Sequence, residues 1–300
     1  VVRRLAHPET PTVLAAFGST DLLKQRGVDA SLLVNYRRLP QFLDVLFRRE
    51  AHGQFDQLAG LVSEGLLGVK LAGSRAQLQG FSNPETARGT LQQRLRGQPT
   101  QPLGLTGLLS TRTALLVHLA AAPARTWPYR ARPRPVGPLV DSLGRNAALD
   151  SLRATFGGEM AVAYLAAVGA GSRPGRLGLV RCPVPARTAR WLARLRRIDG
   201  SSPAFTKVGP YEIHPVGFQE AAVLGPLLAA ARPAAVGVTA SAGVLVGNYL
   251  VLSDELTLNA YLADVVAGRT WAQTPAQVAF LQETLPRARL SIFVDTRNSW

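Results

Sequence analysis

One cysteine, Cys182, and one methionine are found among the 300 residues. A single thiol excludes an internal disulfide framework and leaves the redox compartment unassigned. Histidine is nearly as scarce: His7, His52, His118 and His214 make up the whole set. None stands at His-x-x-x-His spacing, which removes the histidine-rich metal centre as a reading. Carboxylates number 19 and are scattered, so no pair is marked for acid–base work by its spacing. No apolar run reaches the ~18 residues that a membrane-crossing helix needs. The Gly-x-Ser-x-Gly elbow of a serine hydrolase is missing too. The sequence therefore assigns no catalytic, cofactor-binding or metal-binding residue, and a hydrolase is the least favoured class.

Hydrophobic residues are abundant, at 47%. That is enough to bury a sizeable core and argues against disorder over most of the length. The length suits one large domain or two ordinary ones. Net charge is +15, which invites a nucleic-acid or anionic-membrane partner. Yet of the 34 basic residues only Lys24, Lys70 and Lys207 are lysine. Arginine together with abundant Ala, Leu, Gly and Pro is the bias of a GC-rich genome, so the charge is read first as compositional.

Periodicity places the elements. "SLLVNYRRLP" (31–40) reads as a strand stopped at Pro40, with a helix over 41–49 and another over 55–66. Residues 66–82 alternate around Gly73-Ser74 and predict a β-hairpin. "SNPETARGTLQQRL" (82–95) is a capped helix led by Pro84, and 113–122 is a buried strand. Strands are expected at 159–168 and 175–184. The "GAGSRPG" between them feeds a strand and not a helix, so it is a hairpin loop and not a phosphate loop. "PARTARWLARLRRI" (185–198) is a helix led by Pro185. A hairpin over 234–253 turns at Ser241 to Gly243. The helix at 254–268 takes Ser253 as its cap, carries Asp254 and Glu255 at its positive end, and stops at Gly268. A short helix near 281 precedes a closing strand before Asp295.

Two stretches hold clustered arginine. On the helix at 185–198, Arg187, Arg190, Arg194 and Arg197 share one stripe, beside an apolar stripe of Trp191, Leu192, Leu195 and Ile198. In "PARTWPYRARPRPVGP" (123–138), Arg125, Arg130, Arg132 and Arg134 interleave with Trp127 and Tyr129. These eight arginines are the candidate anion-binding residues. The blander readings are a surface helix and a proline-stiffened loop. His118 and His214, each beside apolar neighbours, read as structural residues and not as ligands. Cys182 stands between Arg181 and Pro183, where a neighbouring cation favours a thiolate, but with no histidine close in sequence it too reads as structural.

The two halves of the chain follow one order: strand, proline-led helix, hairpin, capped helix, closing strand. The expected fold class is α+β, in two similar units, each a mostly antiparallel sheet with helices packed on one face, related by internal duplication. Residues 1–122 would form the first unit, 123–138 a Pro/Arg-rich linker or exposed loop, and 139–300 the second.

Four phrases, "SLLVNYRRLPQFLDVL", "LVSEGLLGVKLAGSRAQLQGF", "TGLLSTRTALLVHL" and "GNYLVLSDELTLNAYLADVVAGRTW", carry a family resemblance from about Ala15 onward. The chain resembles the N-terminal half of large bacterial exported proteins of the domain-of-unknown-function 3352 type. The resemblance implies an N-terminal membrane anchor, export to the periplasm or cell envelope, and a β-rich second half. The start at Val1 and the strand-like end before Trp300 fit a piece of such a longer protein, attached to the membrane through a segment outside this sequence. No site residues carry over. The functional expectation is a non-enzymatic structural or interaction module with a protein or other envelope partner and no cofactor. The alternative is a cytoplasmic module that binds a polyanion through its arginines.

Overall fold

The computed structural model describes residues 29–41, 64–72, 75–82, 99–120, 139–167, 175–200, 206–216, 218, 241–284, 286–295 and 298. The chain divides into two compact units. One comprises Val1–Arg96 with Leu228–Ala235, the other Gly97–Leu227 with Val236–Trp300. Of the expected helices, residues 42–49, 55–63 and 83–95 lie outside the described residues, as do the arginines of 123–138.

In the first unit three strands form an antiparallel sheet in the order β1-β2-β3: β1 (Ala30–Asn35), β2 (Glu64–Ala72) and β3 (Arg75–Ser82). Strands β2 and β3 pair from Gly65↔Ser82 to Ala72↔Arg75, so the predicted hairpin is present. The helix expected over 55–66 gives way to strand from Glu64 onward. Val69 and Leu71 are set on alternate positions of that strand, and a period of two suits a pleated ribbon and not a helix.

The second unit is built on eight strands. They are β4 (Thr113–Ala120), β5 (Glu159–Leu165), β6 (Gly175–Arg181), β7 (Thr206–Val208), β8 (Tyr211–Pro215), β9 (Ala242–Val246), β10 (Tyr249–Ser253) and β11 (Leu290–Val294). Their order is β11-β4-β5-β6-β10-β9-β8-β7, and every neighbouring pair is antiparallel. Among the described residues the α-helices of this unit are α1 (Leu139–Arg153), α2 (Pro185–Ile198), α3 (Glu255–Val266) and α4 (Pro275–Gln282). The α+β class with antiparallel sheets is as expected.

Two expectations about organisation are corrected. Strand β4 was assigned to a first unit of 1–122, but it lies inside the second unit's sheet. It pairs with β5 on one side and with β11 on the other. The physical reason is burial: six of its eight residues are buried, which an edge or linker position would not allow. The two strands expected to close separate halves, at 113–119 and 289–294, pair with each other, from Leu119↔Leu290 to Leu115↔Val294. Three strands in one unit and eight in the other display no repeated topology among the described residues.

Alternation along the strands sends apolar side chains to both faces of the larger sheet. On one face Leu116, Ala163, Leu177, Leu179 and Val251 pack with Leu258, Tyr261 and Leu262 of α3. On the other face Leu119, Met160, Val180, Leu250 and Leu252 are equally buried. The predicted helix layer is α3. A second layer, α2 with α1 beside it, covers the opposite face, where α2 meets His214 of β8 and Leu245 of β9. Each fully buried Leu or Val contributes roughly 1.5–3 kcal/mol relative to exposure, so a sheet apolar on both faces needs two layers. Helix α1 and strands β7 and β8 have no counterpart in the expected elements.

Turn chemistry settles the β9–β10 hairpin. Gly243, expected in the turn, is a strand residue opposite Leu252. The two-residue turn is Gly247-Asn248, with Gly247 at φ +55°. A positive φ at the first central position is what a type II′ hairpin turn requires, and glycine supplies it without strain. The helix cap is corrected as well. Ser253 ends β10, is buried, and donates to the Arg176 carbonyl at 2.5 Å. Asp254 is the N-cap of α3: its carboxylate accepts from the Thr257 amide at 2.8 Å and from the Thr257 hydroxyl at 2.7 Å. The carboxylate takes two donors at once, a stronger cap than a hydroxyl there. Gly268, at φ +72°, follows the helix end as expected.

Candidate functional site

Among the described residues of the second unit, chemistry-bearing side chains gather in three places. The first is buried in the sheet. Glu159 opens β5, His118 lies on β4 and Tyr249 opens β10, and register brings all three onto one face. Glu159 Oε1 accepts from the Gly104 amide at 2.8 Å and from His118 Nε2 at 3.0 Å, while Oε2 accepts from the Tyr249 hydroxyl at 2.6 Å. A carboxylate only accepts, so His118 carries its proton on Nε2. Burial raises the Glu159 carboxyl, but the bonds from His118, Tyr249 and Gly104 outweigh it and hold the group below the ordinary carboxylate range. Burial, then the bond to Glu159, pushes the Tyr249 phenol up. A Cβ on residue 104 would stand 2.7 Å from the Tyr249 hydroxyl and 2.9 Å from Glu159 Oε2, so the close approach needs glycine. Glu159 and His118 are 0% and 1% exposed. The cluster cross-links the 99–105 segment to three strands and is closed to solvent.

A second cluster surrounds Asp264 of α3. Its carboxylate accepts from Ser110 Oγ at 2.6 Å, Arg112 Nε at 2.7 Å and Arg269 at 2.8 Å. Burial raises this carboxyl, and the hydroxyl and the two guanidiniums bring it below the ordinary range. Arg112 reaches on to the Ala166 and Ala260 carbonyls. Ser110 and Arg112 join the turn before β4 to the middle and the last turn of α3, and Arg269 holds the same carboxylate from beyond the helix end. Cys182 is buried, with no charged partner among the described residues, and desolvation pushes its thiol up to about 11, the condition of an inert structural cysteine.

The third place is open. A groove of about 260 Å³ runs between α2 and strands β8 and β9. Its walls are apolar: Ala189, Leu192 and Leu195 from the helix, Val216 and Phe218 beyond β8, and Leu245 from β9. Its charged or titratable residues are Arg196, His214 and Glu212, with Tyr211 beside them. An Arg196 Nη1 hydrogen donates to His214 Nδ1, which places the imidazole proton on Nε2. That nitrogen lies 3.7 Å from Glu212 Oε2. Desolvation and then Arg196 depress the His214 imidazole, against the opposing pull of Glu212. The neutral ring is thus favoured, consistent with its role as acceptor.

The arginine stripe read as a candidate anion-binding surface lies on α2. Arg187, Arg190, Arg194 and Arg197 are all exposed, and the Arg194 guanidinium lies 5.2 Å from the Trp191 ring centroid. Arg196 was not part of that reading, because it falls on the helix's opposite side, one turn beyond Leu192. That misplaced charge on an apolar stripe was the available signal. Glu159 had none, since its partners are 41, 55 and 90 residues away.

No family model, curated protein or solved structure matches this chain. Among the described residues no helix is long and apolar enough to cross a membrane.

Proposed function

We propose that this chain is a non-enzymatic binding module of a larger exported, membrane-anchored bacterial protein, with the groove beneath α2 as its working surface. The groove carries the reading. It combines apolar walls with a few convergent polar groups, the ordinary make-up of a ligand site. Glu159, His118 and Asp264, by contrast, are spent on closed structural bonds. Placement in the envelope rests on the resemblance of the four sequence phrases to exported proteins.

The test is a fluorescence titration with N-phenylnaphthylamine, a neutral aromatic probe that brightens in apolar surroundings. The expected result is saturable binding at one site, abolished by Ala189→Trp, which fills the groove from the helix side. Unchanged binding in that variant sinks the reading. A second reading, polyanion binding, is favoured by the exposed arginine stripe on the outer side of α2.

A further inference from the structure

Resting on the groove as a binding site, we infer that its ligand is a small apolar molecule bearing one negative charge, a monoanionic amphiphile, with its head group seated on Arg196. The argument begins with the guanidinium. Arg196 is partly buried on the apolar side of α2, where a charge is costly unless it is paired. Its hydrogen bond goes to a neutral imidazole, and among the described residues no carboxylate oxygen stands within 4.0 Å of it. A guanidinium has five donor hydrogens in a planar fork, and the imidazole takes one. A carboxylate or sulfonate matches that fork with two oxygens, in the geometry that makes such pairs strong.

Glu212 limits the charge of the ligand. Its carboxylate lies on the far side of His214 and acts electrostatically on both Arg196 and His214. Arg196 and Glu212 together leave the polar end near neutrality. One added anion is compensated locally by Arg196, whereas a doubly charged phosphate would meet Glu212 with its second charge unmatched. The walls set the rest of the molecule: Leu192, Leu195, Phe218 and Leu245 accept a ring system or a short acyl chain, not a polar body. The outer arginine stripe does not line the groove; it adds only long-range attraction for the anion.

The experiment compares two probes of one shape, neutral N-phenylnaphthylamine and anionic anilinonaphthalene sulfonate, the sulfonate standing in for a carboxylate. On the unaltered chain at about 150 mM salt, the anionic probe is expected to bind roughly tenfold tighter, the scale of one hydrogen-bonded charge. Arg196→Met is expected to bring the two affinities together by weakening the anionic probe alone. Should Arg196→Met fail to fold by circular dichroism, Arg196→Gln serves the same comparison. Octanoate, but not octanol, is expected to displace the anionic probe. Equal affinities on the unaltered chain, or a preference that survives loss of Arg196, overturn the inference while leaving the groove in place. Sulfonate binding that persists in Ala189→Trp puts the anion on the outer stripe and overturns it too. Failure of both probes to bind removes the groove reading itself.

Discussion

At the scale of single residues, the most consequential side chain is Glu159. It is a buried charge held by three donors, each from a different part of the chain. Removing the charge while keeping the shape, as in Glu159→Gln, is expected to cost about 2–4 kcal/mol at pH 7, because buried donors lose a charged acceptor. The pH dependence has a definite sign. The folded-state carboxyl is depressed below its ordinary value of 4.5. Its stabilisation is therefore complete above that value and is lost as pH falls through the folded-state value. Urea midpoints measured from pH 7 downward should fall below pH 4.5 in the unaltered chain, and the Gln variant should lack that component. An identical acid limb in the two proteins would remove Glu159 from the acid response. His118 was legible as a core histidine, since apolar residues flank it on both sides. Its partner was not, because only strand register brings position 159 to position 118.

Elements were legible where a local rule sufficed. Helix α2 begins at the expected Pro185 and ends at the expected Ile198, because proline, a helical period and the following Asp-Gly all agree. The β2–β3 hairpin followed from alternation. Helix α1 was missed because its first two turns mix Asp, Ser, Gly, Arg and Asn; its buried Ala148, Leu149 and Leu152 come late. Strands β7 and β8 are three and five residues long and give too little alternation to read. The start of α3 separates a cap from its neighbour. Asp254→Ala is expected to destabilise the protein by about 1–2 kcal/mol, since it removes the bonds to the Thr257 amide and hydroxyl. Chemical denaturation checks this, and a loss under a few tenths of a kcal/mol would contradict the cap.

For the whole molecule, the question is what the charge of +15 does. If the outer stripe of α2 is the main contact, DNA binding involves about four phosphates. The logarithm of affinity should then fall against the logarithm of salt with a slope near −4. Fluorescence anisotropy with a labelled duplex measures it. A slope on the order of −8 would recruit further arginines and favour the polyanion reading. No detectable binding at low salt would leave the charge compositional. The large antiparallel sheet was legible only in kind: apolar strands were visible, but their order was not, because pairing partners are chosen by tertiary packing.

The β4–β11 pairing also has a consequence in time. Leu119 meets Leu290, about 170 residues later in the chain. At roughly 5–20 residues per second, a ribosome makes that interval in about 10–30 s. Strands β5 and β6 follow β4 closely and can join it first, leaving one side of β4 an open edge until β11 emerges. An apolar open edge invites pairing with other chains. The last strand of the sheet is thus also its seal, and shielding of β4 during synthesis is left to whatever binds nascent chains.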